Sequence, residues 1–170
     1  MTEIEKDSGD KVGPARRSNR VFLVVVDDTE EMRVALRFAS GRAVHTGGRV
    51  ALLYVMEPND FQHWMAVGDL IREEARAEAE KLLQRHAAQV QKWSGAMPIL
   101  HLREGEPRDT LLALINEDPQ ISILVLGANT GARGPGPLVS ALTGKMMGKL
   151  RVPVTVVPGN LSDDDIDAIS

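Results

Sequence analysis

Five short runs of aliphatic, largely β-branched residues divide this chain, and between one run and the next the apolar residues follow the 3.6-residue period of a helix. That alternation leaves few folds open. The first run, "VFLVVV" from Val21, has no polar member, which marks a strand buried on both faces and therefore central in its sheet. The others are "RVALLYVM" from Arg49, "PILHLREG" from Pro98, "ISILVLG" from Ile121 and "PVTVVPG" from Pro153. Strands that each deliver into a helix before the next strand make a parallel sheet with right-handed crossovers.

The intervening segments supply the helices. Asp27, Asp28 and Thr29 end the first run and offer capping oxygens to a helix whose buried stripe is Met32, Ala35, Leu36, Ala39 and Ala43. Gly47 and Gly48 stop it. A long helix follows from about Val67 to Trp93, with Ile71, Ala75, Leu82, His86, Val90 and Trp93 on its apolar positions. Pro107 suits the first position of a third helix, which turns Leu111, Leu114 and Ile115 to one side. A fourth carries Leu138, Leu142, Met146 and Leu150. The expected fold is a single α/β domain: a five-stranded parallel, doubly wound, Rossmann-like sheet with helices on both faces. The domain is expected over residues 20–158, after a disordered N-terminal arm over 1–19. Residues 159–170 form an acidic C-terminal tail in which Ile166 and Ile169 offer too little apolar surface for order unless something packs on them.

Composition removes several function classes. A net charge of −4 with 4% aromatic residues gives neither the basic surface nor the stacking rings of a nucleic-acid binder. The absence of cysteine excludes disulfides, thiolate metal sites and a cysteine nucleophile, and fits a cytoplasmic location. No apolar run is long enough to span a membrane, and the N-terminal segment has no apolar core of a secretory signal. Asp60 and His63 have the spacing of a metal clip but no third ligand nearby, so no metal site is assigned. His45, His86 and His101 stand apart from any nucleophile, and no catalytic residue declares itself.

Ligands of doubly wound sheets bind at the carboxyl ends of the strands, where the strand order reverses. "VVVDDT", "LLYVME" and "LVLGANTG" are the segments at that edge, and the last opens the glycine-rich stretch "LVLGANTGARGPGPLVSALTGK" from Leu124 to Lys145. A phosphate-binding P-loop needs a lysine after its second glycine, where Pro137 follows Gly136. A dinucleotide fingerprint needs a third glycine where Val139 stands. Neither motif is met. What remains is a loop before a helix, whose Pro135 and Pro137 carry no N–H and whose free amides are expected at Leu138, Val139 and Ser140.

The ordered set "VVVDDTEE", "GEP" at Gly105 to Pro107, "LVLGANTG" and "VPVTVVPG" resembles the universal stress protein family over about residues 20–158. The resemblance implies a stress-response regulatory protein that binds an adenine nucleotide such as ATP at the ends of strands one, two and four, with Mg2+ only where ATP is bound. Nucleotide-binding members carry G-x-x-G, nine residues, then G-S or G-T. Counted from Gly127, Thr130 stands at the second glycine, Ser140 at the third and Ala141 at the hydroxyl position. A one-residue shift instead puts Gly131 and Ser140 in those roles, with Val139 at the third glycine. Both alignments are open. The implied nucleotide contacts are Asp27, Val55 through its backbone, Gly127, Thr130, Gly131, Arg133, Ser140 and Ala141. Asp27 has a competing role in capping the first helix, and Arg133 a competing one as a solvated loop charge.

A nucleotide-independent interaction module of the same fold is the alternative. A two-component receiver is excluded, because the third strand reads "LHLREG" without its aspartate and the fifth ends "VVPG" without its lysine. No residue is placed as a water-orienting base, so the expected activity is binding, with slow ATP hydrolysis at most. The last strand, with no charge from Val154 to Val157, is expected at a sheet edge, where family members commonly pair it with its mate in a homodimer.

Overall fold

The computed structural model describes residues 20–58 and 68–170; the N-terminal arm and the Asp60 and His63 pair lie outside the described residues. Strands β1 (Val21–Val25), β2 (Arg49–Met56), β3 (Ile99–Glu104), β4 (Ile121–Ala128) and β5 (Val154–Pro158) alternate with helices α1 (Glu30–Thr46), α2 (Gly68–Ser94), α3 (Pro107–Glu117) and α4 (Pro137–Thr143). A last helix, α5 (Asp163–Ile169), closes the chain. The sheet is wholly parallel in the order β3-β2-β1-β4-β5, so β1 is central, as its unbroken apolar run requires.

Each strand sends alternate side chains to opposite layers. Phe22 and Val24 meet α1 and α2, whereas Val21 and Leu23 meet the α3 and α4 side. The α1 stripe of Met32, Ala35, Leu36, Ala39 and Ala43 is buried as its spacing predicts, and so is the α3 set of Leu111, Leu114 and Ile115. On α2 the burial is deepest at Ala79, Leu83, His86, Ala87 and Val90, toward the C-terminal half of the expected stripe. The fourth helix stops at Thr143 rather than running to Leu150, because Gly144 leaves helical geometry and Met147–Lys149 continues as a single 3-10 turn. Leu138, Leu142, Met146 and Leu150 still reach the same apolar cluster.

Two glycines let α1 lie close to the sheet. A Cβ on Gly127 would sit 2.1 Å from the carbonyl oxygen of Glu31, and one on Gly159 would sit 2.6 Å from the Glu31 Cβ. The first turn of α1 therefore rests on the backbone of β4 and of the segment after β5.

The acidic tail is ordered, through the exception the sequence left open: it packs on α1. Ser162 accepts from the backbone N–H of Asp165 and completes a capping box, and the acids of the first turn suit the positive end of a helix. Ile166 is fully buried among α1 residues. Arg33 donates to Asp163, and Arg37 donates to both Asp163 and Asp167. The Arg37 guanidinium also lies 5.4 Å from the centre of the Trp93 ring. What the sequence reading lacked was the partner: the arginines of α1 sit one turn apart on the face that receives the tail.

Ile166→Ala should lower stability by about 2–4 kcal/mol, the range for truncating a buried aliphatic side chain, read from the urea unfolding midpoint. Asp167→Asn should cost much less, since that carboxylate is exposed. The hydrogen bond from Arg37 holds the Asp167 carboxyl below its ordinary value. Its contribution is thus full above the ordinary aspartate pKa and is lost as pH falls through the folded-state value.

Candidate functional site

The strand order reverses between β1 and β4: α1 carries the chain from β1 to one side, and α4 carries it from β4 to the other. The carboxyl ends there are uneven. β1 stops at Val25, level with Leu53, while β2 runs on to Met56, and β4 runs on to Ala128 beside β5. A notch is left above β1, bounded by two strands that lie about 10 Å apart, twice the spacing of neighbouring strands.

Hydrogen-bond alternation decides what faces that notch. Val26 donates to the Leu53 carbonyl and Gly105 donates to the Met56 carbonyl, so Leu53 and Val55 direct their backbone groups toward β1, and Tyr54 and Met56 toward β3. Leu124 donates to Pro153 and Gly159 donates to Ala128, so even-numbered β4 residues face β5 and Gly127 faces β1. Val55 and Gly127 thus aim N–H and C=O groups at the notch from either side, beyond the point where β1 ends.

Below the notch opens a crevice of about 160 Å³ between the first turn of α1 and the start of α4. Its walls are Val25, Leu126 and Gly127 from the strands, Asp27, Thr29, Glu31 and Met32 from the β1–α1 turn and the start of α1, and Pro135 to Val139 from the glycine-rich loop. Thr29, not Asp27, caps α1: its hydroxyl accepts from the Met32 N–H at 3.2 Å. Asp27 holds that cap in place, its Oδ1 accepting from the Thr29 N–H at 2.8 Å and from the Thr29 hydroxyl at 2.6 Å. Oδ2 takes part in neither bond, so Asp27 keeps an acceptor for a ligand hydroxyl.

The loop is tied to itself. Gly131 donates to the Asn129 side chain, Gly134 to the Gly131 carbonyl, and Asn129 to the Pro135 carbonyl. Gly134 and Gly136 take positive φ values of 78° and 102°, which these turns require. Pro137 is the first helical residue, where its missing N–H costs the helix nothing, and the Ser140 N–H donates to the Gly136 carbonyl. Ser140 is therefore not an available amide, which corrects the sequence reading; its N–H closes the first turn of α4.

Asp27 and Gly127 reach the crevice, and Val55 reaches the notch through its backbone. Thr130, Gly131, Arg133, Ser140 and Ala141 do not line the crevice: the first three are exposed on the outer part of the loop, and the last two lie on α4. Arg133 has no ion-pair partner among the described residues. Glu31, Met32 and Pro135 are walls that motif matching missed. Glu31 carries a legible signal, since it falls in the first turn of the helix that begins at the ligand edge.

The universal stress protein family model matches residues 18–158. Among solved structures, universal stress protein UspA from Lactobacillus plantarum superposes with a TM-score of 0.67 at 21% identity, over 84% of this chain and 99% of that one. A universal stress protein family protein from Arabidopsis thaliana, solved with AMP bound, gives 0.59 at 15% identity over 85% and 94%. The universal stress protein from Archaeoglobus fulgidus in complex with dAMP gives 0.51 at 21% identity over 81% and 94%. At these identities the structural likeness is one of fold. No curated protein matches the chain.

Gly127→Val should destabilise the protein with no ligand present, by about 3 kcal/mol or more, because the added Cβ meets the Glu31 backbone rather than a flexible side chain. Thermal unfolding of the ligand-free variant reads this, and a midpoint equal to the parent's would contradict the close approach of α1.

Proposed function

The chain belongs to the universal stress protein family, and on that premise we propose that it is a cytoplasmic stress-response regulator that binds an adenine nucleotide at the carboxyl ends of β1, β2 and β4. The observation that carries this reading is the notch above β1, where Val55 and Gly127 present backbone donors and acceptors from opposite sides to the edges of a flat base. The free oxygen of Asp27 is a partner for a ribose hydroxyl. Phosphate then extends toward the glycine-rich loop, where Thr130, Gly131, Arg133, Ser140 and Ala141 form the outer contacts and Mg2+ enters only with ATP. The AMP and dAMP complexes of two solved relatives support the choice of adenine. The role is binding rather than turnover: among the described residues the crevice walls hold no cation to stabilise a phosphoryl transition state.

Calorimetric titration with adenine and guanine nucleotides tests it. Adenine ligands should bind and guanine ligands should not. Leu138→Trp, which fills the crevice from a half-buried wall position, should weaken adenine binding about tenfold or more while leaving the unfolding midpoint close to the parent's. Absence of heat with every adenine ligand would sink the proposal.

A second reading, a homodimeric interaction module, rests on the edge of β5. No described strand pairs with its outer side, Val156 is 37% exposed, and α5 packs on α1 rather than along this edge. Thr155 and Val157 face β4, so the outward donors are Val154 and Val156. Val156→Pro should therefore shift the protein toward monomer in light scattering with the fold retained, whereas Thr155→Pro would break the β4 ladder itself. A monomeric parent at tens of micromolar, roughly the range in which a standard-sized interface persists, would refute the dimer.

A further inference from the structure

We infer that the crevice selects adenine ligands with little or no phosphate, a nucleoside or a nucleoside monophosphate, over the triphosphate, and that Glu31 is the residue that enforces the choice. The inference rests on the nucleotide reading above and adds the ligand's charge state to it. Among the described residues, the charged side chains in the crevice walls are Asp27 and Glu31, both carboxylates, and no described lysine or arginine lines the site. Glu30 adjoins Glu31 in the first turn of α1, while Asp28, just before the Thr29 cap, is paired with Arg85 at 3.7 Å, so the partial positive charge of the α1 N-terminus, which would otherwise attract an anion, is opposed chiefly by Asp27, Glu30 and Glu31.

The opposite wall does not offset this. Pro135 and Pro137 have no N–H, and Asn129, Gly131, Gly134 and Ser140 direct theirs to acceptors within the loop and α4; the amides of Leu138 and Val139 remain open, but they are uncharged donors at the start of a seven-residue helix, set against two carboxylates. Arg133 is exposed beyond the walls. At about 160 Å³ the crevice is also below the usual range of roughly 300–1,000 Å³ for small-molecule sites. It has room for part of a nucleoside and leaves a polyphosphate at the mouth, among carboxylates of like charge.

The test is calorimetry on the full chain with adenosine, AMP and ATP, at matched ionic strength and with chelator present so that no divalent cation bridges the charges. AMP should bind about tenfold or more tightly than ATP, as expected for like charges held within one Debye length. Glu31→Gln should raise the ATP-to-AMP affinity ratio several-fold. ATP binding as tightly as AMP, or a ratio unmoved by Glu31→Gln, would overturn the inference while leaving the nucleotide reading intact. If none of the three ligands binds, both fall.

Discussion

The first turn of α1 lies on the backbone of β4, and only the missing side chain of Gly127 makes room for it. Much of the molecule depends on that contact. It places Thr29 and Glu31 at the switch point of the sheet, beside the carboxyl end of β1, and so makes one wall of the crevice. The same turn packs on Gly159, which fixes where the chain leaves β5. From there α5 meets Arg33 and Arg37 on the next turns of α1. A family-type glycine that a motif scan assigns to the ligand therefore serves first to set the distance between a helix and its sheet. The same position also turns its backbone groups into the notch.

The architecture was legible because it rests on patterns that are local in sequence. An uninterrupted apolar run such as that from Val21 is buried on both faces only in the middle of a parallel sheet, and β1 lies there. The stripes of α1 and α3 follow directly from helical spacing. The misses came where the decisive partner is distant. The tail looked too polar to order, because its acids find their cations in α1, 126 to 130 residues earlier. The fourth helix looked longer, because the apolar stripe from Leu138 to Leu150 continues across Gly144 even though the helical hydrogen bonding does not.

The site was legible in part, for a related reason. Strand ends announce which backbone lies at the ligand edge, so Asp27, Val55 and Gly127 could be placed there before any coordinates. How far each strand overshoots its neighbour cannot be read from the residues, yet that overshoot creates the notch. The loop was the hardest. Its amides count as donors in a sequence, but whether they are free depends on turns such as the one Asn129 closes on Gly131. Ser140 illustrates the point: in sequence it is a hydroxyl and an amide near a phosphate loop, and in the fold its amide belongs to α4.

The docking of α5 also bears on how the chain reaches its native state. Ile166 completes an apolar cluster whose other members come from α1, α2 and four of the strands, so that cluster stays open to solvent until the last elements are made. During synthesis from the N-terminus, the arginine face of α1 leaves the ribosome some 130 residues before the acids that neutralise it. Until then that face is a cationic, partly apolar surface on a nearly finished domain, which is the interval in which non-native partners compete for it. Closure by α5 is a long loop, but the entropy of closure grows only slowly with loop length. The last helix thus covers the arginine face of α1 only once the end of the chain has been made.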